Sequence, residues 1–295
     1  MRLCTILHDN REIAAVVRPD GRLVTVAQVA PDLPAELQGL LELGLTEEVR
    51  DRLVDAANDA ADADLLDRDE VSAAPLYRRP RKIWGIGLNY RAHADDLGAP
   101  HPTEPASFMK GDHTIIGPDD AIVLPAQSQR VTAEAELGIV IGRTCRDVDE
   151  QDALDYVAGV CTILDQTAED ILERNPRFLT RSKNFPTFFS FGPELVTMDE
   201  VLERFGSIDD IVVSTVHNGS LHRENVVSDM TFRPAQLVSF HSQVMPLYPG
   251  DIISTGTPGA VVIEDGDVAT CRIDGIGTLD NPVVRPDTGS TRNGN

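Results

Sequence analysis

Glu134 and Glu136 stand one residue apart in an otherwise apolar run, Ala133-Glu134-Ala135-Glu136-Leu137-Gly138-Ile139-Val140-Ile141-Gly142. Branched aliphatics at this density, punctuated by glycine, predict a buried strand. Strand side chains repeat every second residue, so both glutamates leave the same face, about 7 Å apart along the chain. Two carboxylates on one face of a buried strand repel each other and lose their hydration, and they persist only with a cation or a proton between them. Asp165 closes the next apolar run, Gly159-Val160-Cys161-Thr162-Ile163-Leu164. Three oxygen donors converging from two strands suit a hard divalent ion, with Mg2+ the first expectation.

Acidic residues are plentiful, 48 in 295, so one E-x-E pair carries little weight alone and its neighbours matter. The formal net charge is −22, with only three lysines (Lys82, Lys110, Lys183) among 26 basic residues. Such a surface repels nucleic acid and anionic membrane, and both are excluded as expected partners. The Asp-rich, Lys-poor balance is read either as salt adaptation of a cytoplasmic protein or as codon bias. No stretch reaches the roughly 20 apolar residues that span a bilayer, and the first residues turn polar too soon for a secretory signal. The four cysteines (Cys4, Cys145, Cys161, Cys271) are scattered without a C-x-x-C pair and read as reduced core residues.

The chain divides at a basic, proline-bearing boundary, Arg78-Arg79-Pro80-Arg81-Lys82. Residues 1–75 read as a small N-terminal domain: two strands over residues 2–7 and 14–17, helical spacing over 33–54, then an Asp/Ala-rich helix or linker over 55–71. Residues 80–284 read as a catalytic, metal-binding domain of many short strands and few helices. One of those helices is expected over 150–158, capped by Asp149, and another over 234–243. The fold class that follows is mixed α+β, rich in β, a roll or sandwich. Residues 286–295 read as a disordered tail.

Four further segments carry chemistry. In Gly85-Ile86-Gly87-Leu88-Asn89-Tyr90-Arg91-Ala92-His93-Ala94-Asp95-Asp96 the chain leaves a strand and enters a helix. His93 and Asp96 then share one helical face, as a general base and its orienting acid or as a solvated surface pair. Lys110 either holds a substrate carboxylate or snorkels at a strand end. Lys183, in Arg181-Ser182-Lys183-Asn184-Phe185-Pro186-Thr187-Phe188, either polarises a substrate carbonyl or balances the three acids. The loop Thr255-Gly256-Thr257-Pro258-Gly259 offers N–H groups and hydroxyls to a carboxylate or oxyanion, or is simply a turn.

In this order the segments resemble the fumarylacetoacetate hydrolase superfamily over residues 80–284. The G-x-N-Y-x-x-H pattern falls at Gly87 to His93, E-x-E at Glu134 and Glu136, D-x-T-A at Asp165 to Ala168, the lysine before F-x-T-F at Lys183, and T-G-T-P-G at Thr255 to Gly259. The resemblance implies a β-roll fold and a homodimer. It implies Mg2+, Mn2+ or Ca2+ on Glu134, Glu136 and Asp165, with catalytic roles for His93, Asp96 and Lys183. It also implies substrate contacts from Lys110, Asn89, Gly256 and Thr257. Relatives of this kind act on small 2-oxo acids. The first expectation is a hydrolase that cleaves a C–C bond in an acylpyruvate or related 2,4-dioxo acid through a metal-stabilised enolate. The alternatives are an isomerase or decarboxylase of hydroxy-dienoate or oxaloacetate-type acids at the same site, and a silent metabolite-binding scaffold.

The chain also departs from the family pattern. Asp96 is shorter than the usual Glu, and Asp95 competes for its role. Glu169 stands where an Arg is common and Leu172 where a Gln is, leaving Arg174, Arg177 or Arg181 as replacements for the lost cation. Gly111 follows Lys110 where Pro is usual.

Overall fold

A computed structural model describes residues 1–92 and 102–286. His93, Asp95 and Asp96 lie outside the described residues, as does the tail from residue 287. The fold is mixed α+β and strand-rich, as expected, with two sheets. The larger runs in the order Leu23–Thr25, Arg11–Val17, Arg2–His8, Phe189–Thr197, Val157–Ala168, Val131–Ile141, Ile252–Ser254, Ile83–Gly87 and Ala106–Lys110. Three short strands attach beside this path, among them Ala260–Ile263 against Val131–Ile141. The smaller sheet runs Ser220–Val226, Val212–His217, Val268–Ile273, Gly277–Val284 and Ile122–Val123.

The central pair, Val131–Ile141 and Val157–Ala168, is antiparallel and almost wholly buried. Its period-two alternation sorts the side chains into two cores. Ala133, Ala135, Leu137, Val160 and Leu164 face the smaller sheet, packing with Val213, Cys271 and Leu279. Val140, Cys161 and Ile163 face the other way and pack with Leu3, Val16, Leu40, Leu53 and Phe189. Glu134, Glu136 and Asp165 share this second face, at the end of the layer that the N-terminal helices cover.

Residues 1–75 hold the two expected strands, paired antiparallel. Arg2–His8 also pairs with Phe189–Thr197, so the larger sheet runs through both parts of the chain. The single helical stretch read over 33–54 is two helices, Leu37–Leu43 and Glu47–Asn58. Gly44 closes the first, and the Thr46 hydroxyl caps the second by accepting from Val49 N. The helix expected over 150–158 is a 3-10 helix that ends two residues earlier, Glu150–Tyr156, and Asp149 makes no side-chain cap bond there. Val157 and Ala158 instead begin the strand that ends beyond Asp165. The helix Pro234–Val244 forms as read.

Candidate metal and substrate site

The register of the central pair sets Asp165 directly opposite Glu134 and Ile163 opposite Glu136. Oxygens of Glu134, Glu136 and Asp165 all lie within 4.8 Å of one another. Glu136 is 1% exposed and Asp165 0%. Neither carboxylate can shed its charge problem into water, so the protein must answer it from neighbouring strands.

Glu136 is answered by the closing loop. Ser254 Oγ donates to Glu136 Oε2 at 2.5 Å, and Gly256 N donates to the same oxygen at 2.7 Å. Ser254 sits opposite Gly138, which puts its hydroxyl on the carboxylate face. Gly256 has φ 98, and a Cβ there would come within 2.8 Å of Asn89 Cβ, so this position requires glycine. The Gly256 amide, expected to meet substrate, is thus directed at Glu136. Thr257 is buried, its hydroxyl bonded to Gly259 within the same turn.

Two lysines answer the other acids. Lys183 ends the short helix Leu179–Lys183, with Nζ 3.1 Å from Glu134 Oε2 and 3.2 Å from Asp165 Oδ2. The Phe108 ring lies 4.7 Å from the same ammonium. Gly85 makes room for that ring, since a Cβ there would fall 2.2 Å from it. Lys110 Nζ donates to Asp165 Oδ1 at 2.6 Å and to the Gln166 carbonyl at 3.3 Å. Thr167 Oγ1 donates to Glu134 Oε1 at 2.5 Å. Asn184 ties the two lysine segments together: its Oδ1 accepts from Gly111 N, and its Nδ2 donates to Met109 O.

The charge state follows from this crowding. Burial first, then the Asp165 and Glu134 carboxylates, push Glu136 up to about 8. Burial pushes Lys110 down to about 8, against the pull of Asp165. For Lys183, burial acts to lower its value, but Asp165, Glu134 and Glu136 together outweigh it and hold its ammonium above the ordinary lysine range. Two ammonium groups and a proton on Glu136 therefore balance three carboxylates. Asp165 Oδ2, fully buried, accepts no well-aligned hydrogen bond. An all-oxygen donor set, a buried oxygen met only by the Lys183 ammonium without a hydrogen bond, and a replaceable proton fit a hard divalent cation.

Asn89 does different work from that expected of it. Fully buried, it donates to Phe232 O at 2.9 Å and Thr255 O at 2.7 Å, and accepts from Phe232 N at 2.9 Å. It fastens the closing loop rather than pointing at a ligand. Thr187, in the segment after Lys183, holds φ 70, an unusual conformation for a β-branched residue, and accepts from Val123 N. Glu169 is paired with Arg130, Arg174 with Asp170, and Arg181 with Gln127, while Arg177 is exposed. The four cysteines are free and buried as expected, and burial pushes Cys4 and Cys271 up to about 12.

Sequence reasoning missed Ser254, Phe108 and Asn184. Ser254 was legible as the polar end of an apolar strand, and Asn184 as the neighbour of Lys183. Nothing in the local sequence pairs Phe108 with Lys183, 75 residues away.

The family profile described as Fumarylacetoacetate (FAA) hydrolase C-terminal matches residues 82–284. An oxaloacetate tautomerase from Xenopus laevis is 32% identical over 283 residues, 92% of this chain and 86% of that one. A 2,4-didehydro-3-deoxy-L-rhamnonate hydrolase from a Sphingomonas strain is 33% identical over 291 residues, 94% of each. Among solved structures, maleylpyruvate hydrolase from Sphingobium sp. SYK-6, in complex with manganese(II) and pyruvate, superposes with TM-score 0.81 at 28% identity, covering 97% of this chain and 100% of that one.

Proposed function

Because the chain belongs to the fumarylacetoacetate hydrolase superfamily, we propose that it is a Mg2+-dependent hydrolase that cleaves a C–C bond in an acylpyruvate or related 2,4-dioxo acid. The observation that carries the reading is the Glu134–Glu136–Asp165 cluster, compensated by two buried lysines and facing the end of the sheet. A bound divalent cation supplies Lewis-acid stabilisation of the enolate that leaves on C–C cleavage. The chain's own residues then have distinct tasks. Ser254 and the Gly256 amide orient Glu136, Thr167 orients Glu134, and Lys110 fixes Asp165. Lys183 lies over two ligand carboxylates and is the cation best placed to meet an anionic substrate oxygen. By the family resemblance, His93 is assigned to take the proton from the attacking water and Asp96 to be its orienting acid.

The second reading is an isomerase or decarboxylase of 2-oxo acids on the same cluster, favoured by the similarity to an oxaloacetate tautomerase. It needs no activated water. We further propose a cytoplasmic homodimer. Among the described residues no helix is long and apolar enough to cross a membrane.

Pyruvate release from acetylpyruvate, with Mg2+ and with excess chelator, tests the first reading. Pyruvate and acetate in equal amounts, dependent on metal and lost in His93→Ala, support it. Tautomerisation or decarboxylation of oxaloacetate that survives His93→Ala, without acylpyruvate hydrolysis, selects the second. A folded, metal-loaded protein that turns over neither substrate is the silent scaffold. Light scattering of the purified protein reads the dimer.

A further inference from the structure

A cavity of about 930 Å³ opens between the N-terminal strands and helices and the smaller sheet, and none of the carboxylate cluster lines it. Its floor is a bridged ion network. Glu194 is held from two sides, by Arg2 and by Arg68, and Arg2 also meets Glu200 and the carbonyls of Gly275 and Ile276. This network joins the first strand to Phe189–Thr197.

Two other arginines in the wall have donors to spare. Arg18 gives Nη1 to the carbonyls of Ala57 at 2.5 Å and Asn58 at 3.3 Å, and its buried Nε, without a hydrogen bond, is ion-paired with Asp20 at 3.5 Å, which leaves Nη2 to spare. Arg204 makes no hydrogen bond or ion pair among the described residues, and its stem lies over Gly275, where a Cβ would come within 2.8 Å. The lining also holds an apolar set, Val16, Val54, Ala57, Pro193 and Ile276, with the acids Glu200 and Asp274 at its edge, on the helix and the smaller sheet's side. On a chain of net charge −22, underused guanidinium groups beside this apolar set are an exception to the surface. Guanidinium planes pair with carboxylates bidentately, and a junction between chain segments is a common place for ligands.

We propose that this cavity is a second binding site, for a small organic anion with an apolar body, its carboxylate held by Arg18 and Arg204. Such a ligand bridges the N-terminal segment and the smaller sheet, and by mass action it stabilises their union. The proposal is independent of the reaction at the carboxylate cluster.

The test is calorimetric titration of octanoate and of phenylpyruvate into the full native chain in excess chelator, so that no metal at the carboxylate cluster contributes. The expected result is binding of one equivalent, a rise in the unfolding temperature, and at least tenfold weaker binding on adding Arg18→Met or Arg204→Met. In the otherwise native chain both arginine variants should keep the activity, and Arg204→Met the unfolding temperature. No binding at millimolar ligand overturns the proposal, and so does binding indifferent to both arginine changes. Inorganic phosphate binding as tightly as octanoate overturns it too, because charge alone would then be recognised. If Arg18→Met fails to fold, Arg204→Met decides.

Discussion

Lys110 Nζ lies 2.6 Å from Asp165 Oδ1, with both side chains at 0% exposure. The pairing makes this lysine part of the carboxylate cluster, so any contact it makes with substrate comes second to an ion pair. Removing one partner of a buried pair leaves an uncompensated charge, typically at a cost of about 3–5 kcal/mol. Lys110→Met should therefore lower the stability of the metal-free protein by about that much in urea unfolding. Saturating Mg2+ should restore much of the loss, because the ion supplies the missing positive charge. An equal loss with and without metal would mean that Lys110 supports packing only.

Protonation of Glu136 makes metal binding pH-dependent. Its value is raised to about 8 from an ordinary 4.5, so the folded chain holds a proton there that the unfolded chain has released. That contribution to metal-free stability is complete below about pH 4.5 and is lost as the pH rises through about 8. Metal must displace the proton. Affinity for Mg2+, read by calorimetry, should thus rise close to tenfold per pH unit from about 6 to about 8 and then level off. Glu136→Gln should give weak binding with a flat profile, and a flat profile in the unaltered protein would contradict the charge assignment.

Asn89 and Gly256 act as one fastening. Asn89→Ala orphans the part-buried amide N–H and carbonyl of Phe232 and the buried carbonyl of Thr255. With about 1–3 kcal/mol for each stranded group, partly relaxed, the expected loss is about 2–4 kcal/mol in thermal or urea unfolding. Gly256→Ala should also weaken metal binding, because a Cβ 2.8 Å from Asn89 and 3.0 Å from the Ile86 carbonyl pushes the 256 amide off Glu136. Unchanged stability in Asn89→Ala would leave the residue available for the substrate role that the family resemblance implies.

The net charge of −22 predicts salt-dependent stability. At about 0.1 M salt the screening length is near 10 Å, and at about 1 M near 3 Å. Repulsion among surface carboxylates should fade over that range, and the unfolding temperature should climb between 0.1 and 2 M KCl at constant pH. A constant midpoint would favour codon bias as the origin of the composition.

What the sequence determined was whatever depends on spacing within one segment. Period two in Ala133 to Ile141 placed Glu134 and Glu136 together, and the order of five short motifs identified the superfamily. Strand density set the fold class. Helix ends were less legible: Gly44 divides one apolar periodicity into two helices, and residues 150–156 follow a 3-10 path because Val157 is claimed by the adjoining strand. Only the tertiary structure decided which groups compensate the carboxylates. Lys110, opposite Ile83 on the last strand of the larger sheet's path, reaches Asp165 although three strands separate theirs in the sheet order. Ser254 and Gly256 reach Glu136 because Ile252–Ser254 pairs with Val131–Ile141 from more than a hundred residues away. The same long-range pairing turned Asn89 into a fastening and the Gly256 amide toward a ligand carboxylate. Registers between distant strands depend on the whole sheet closing at once, and no local pattern encodes them.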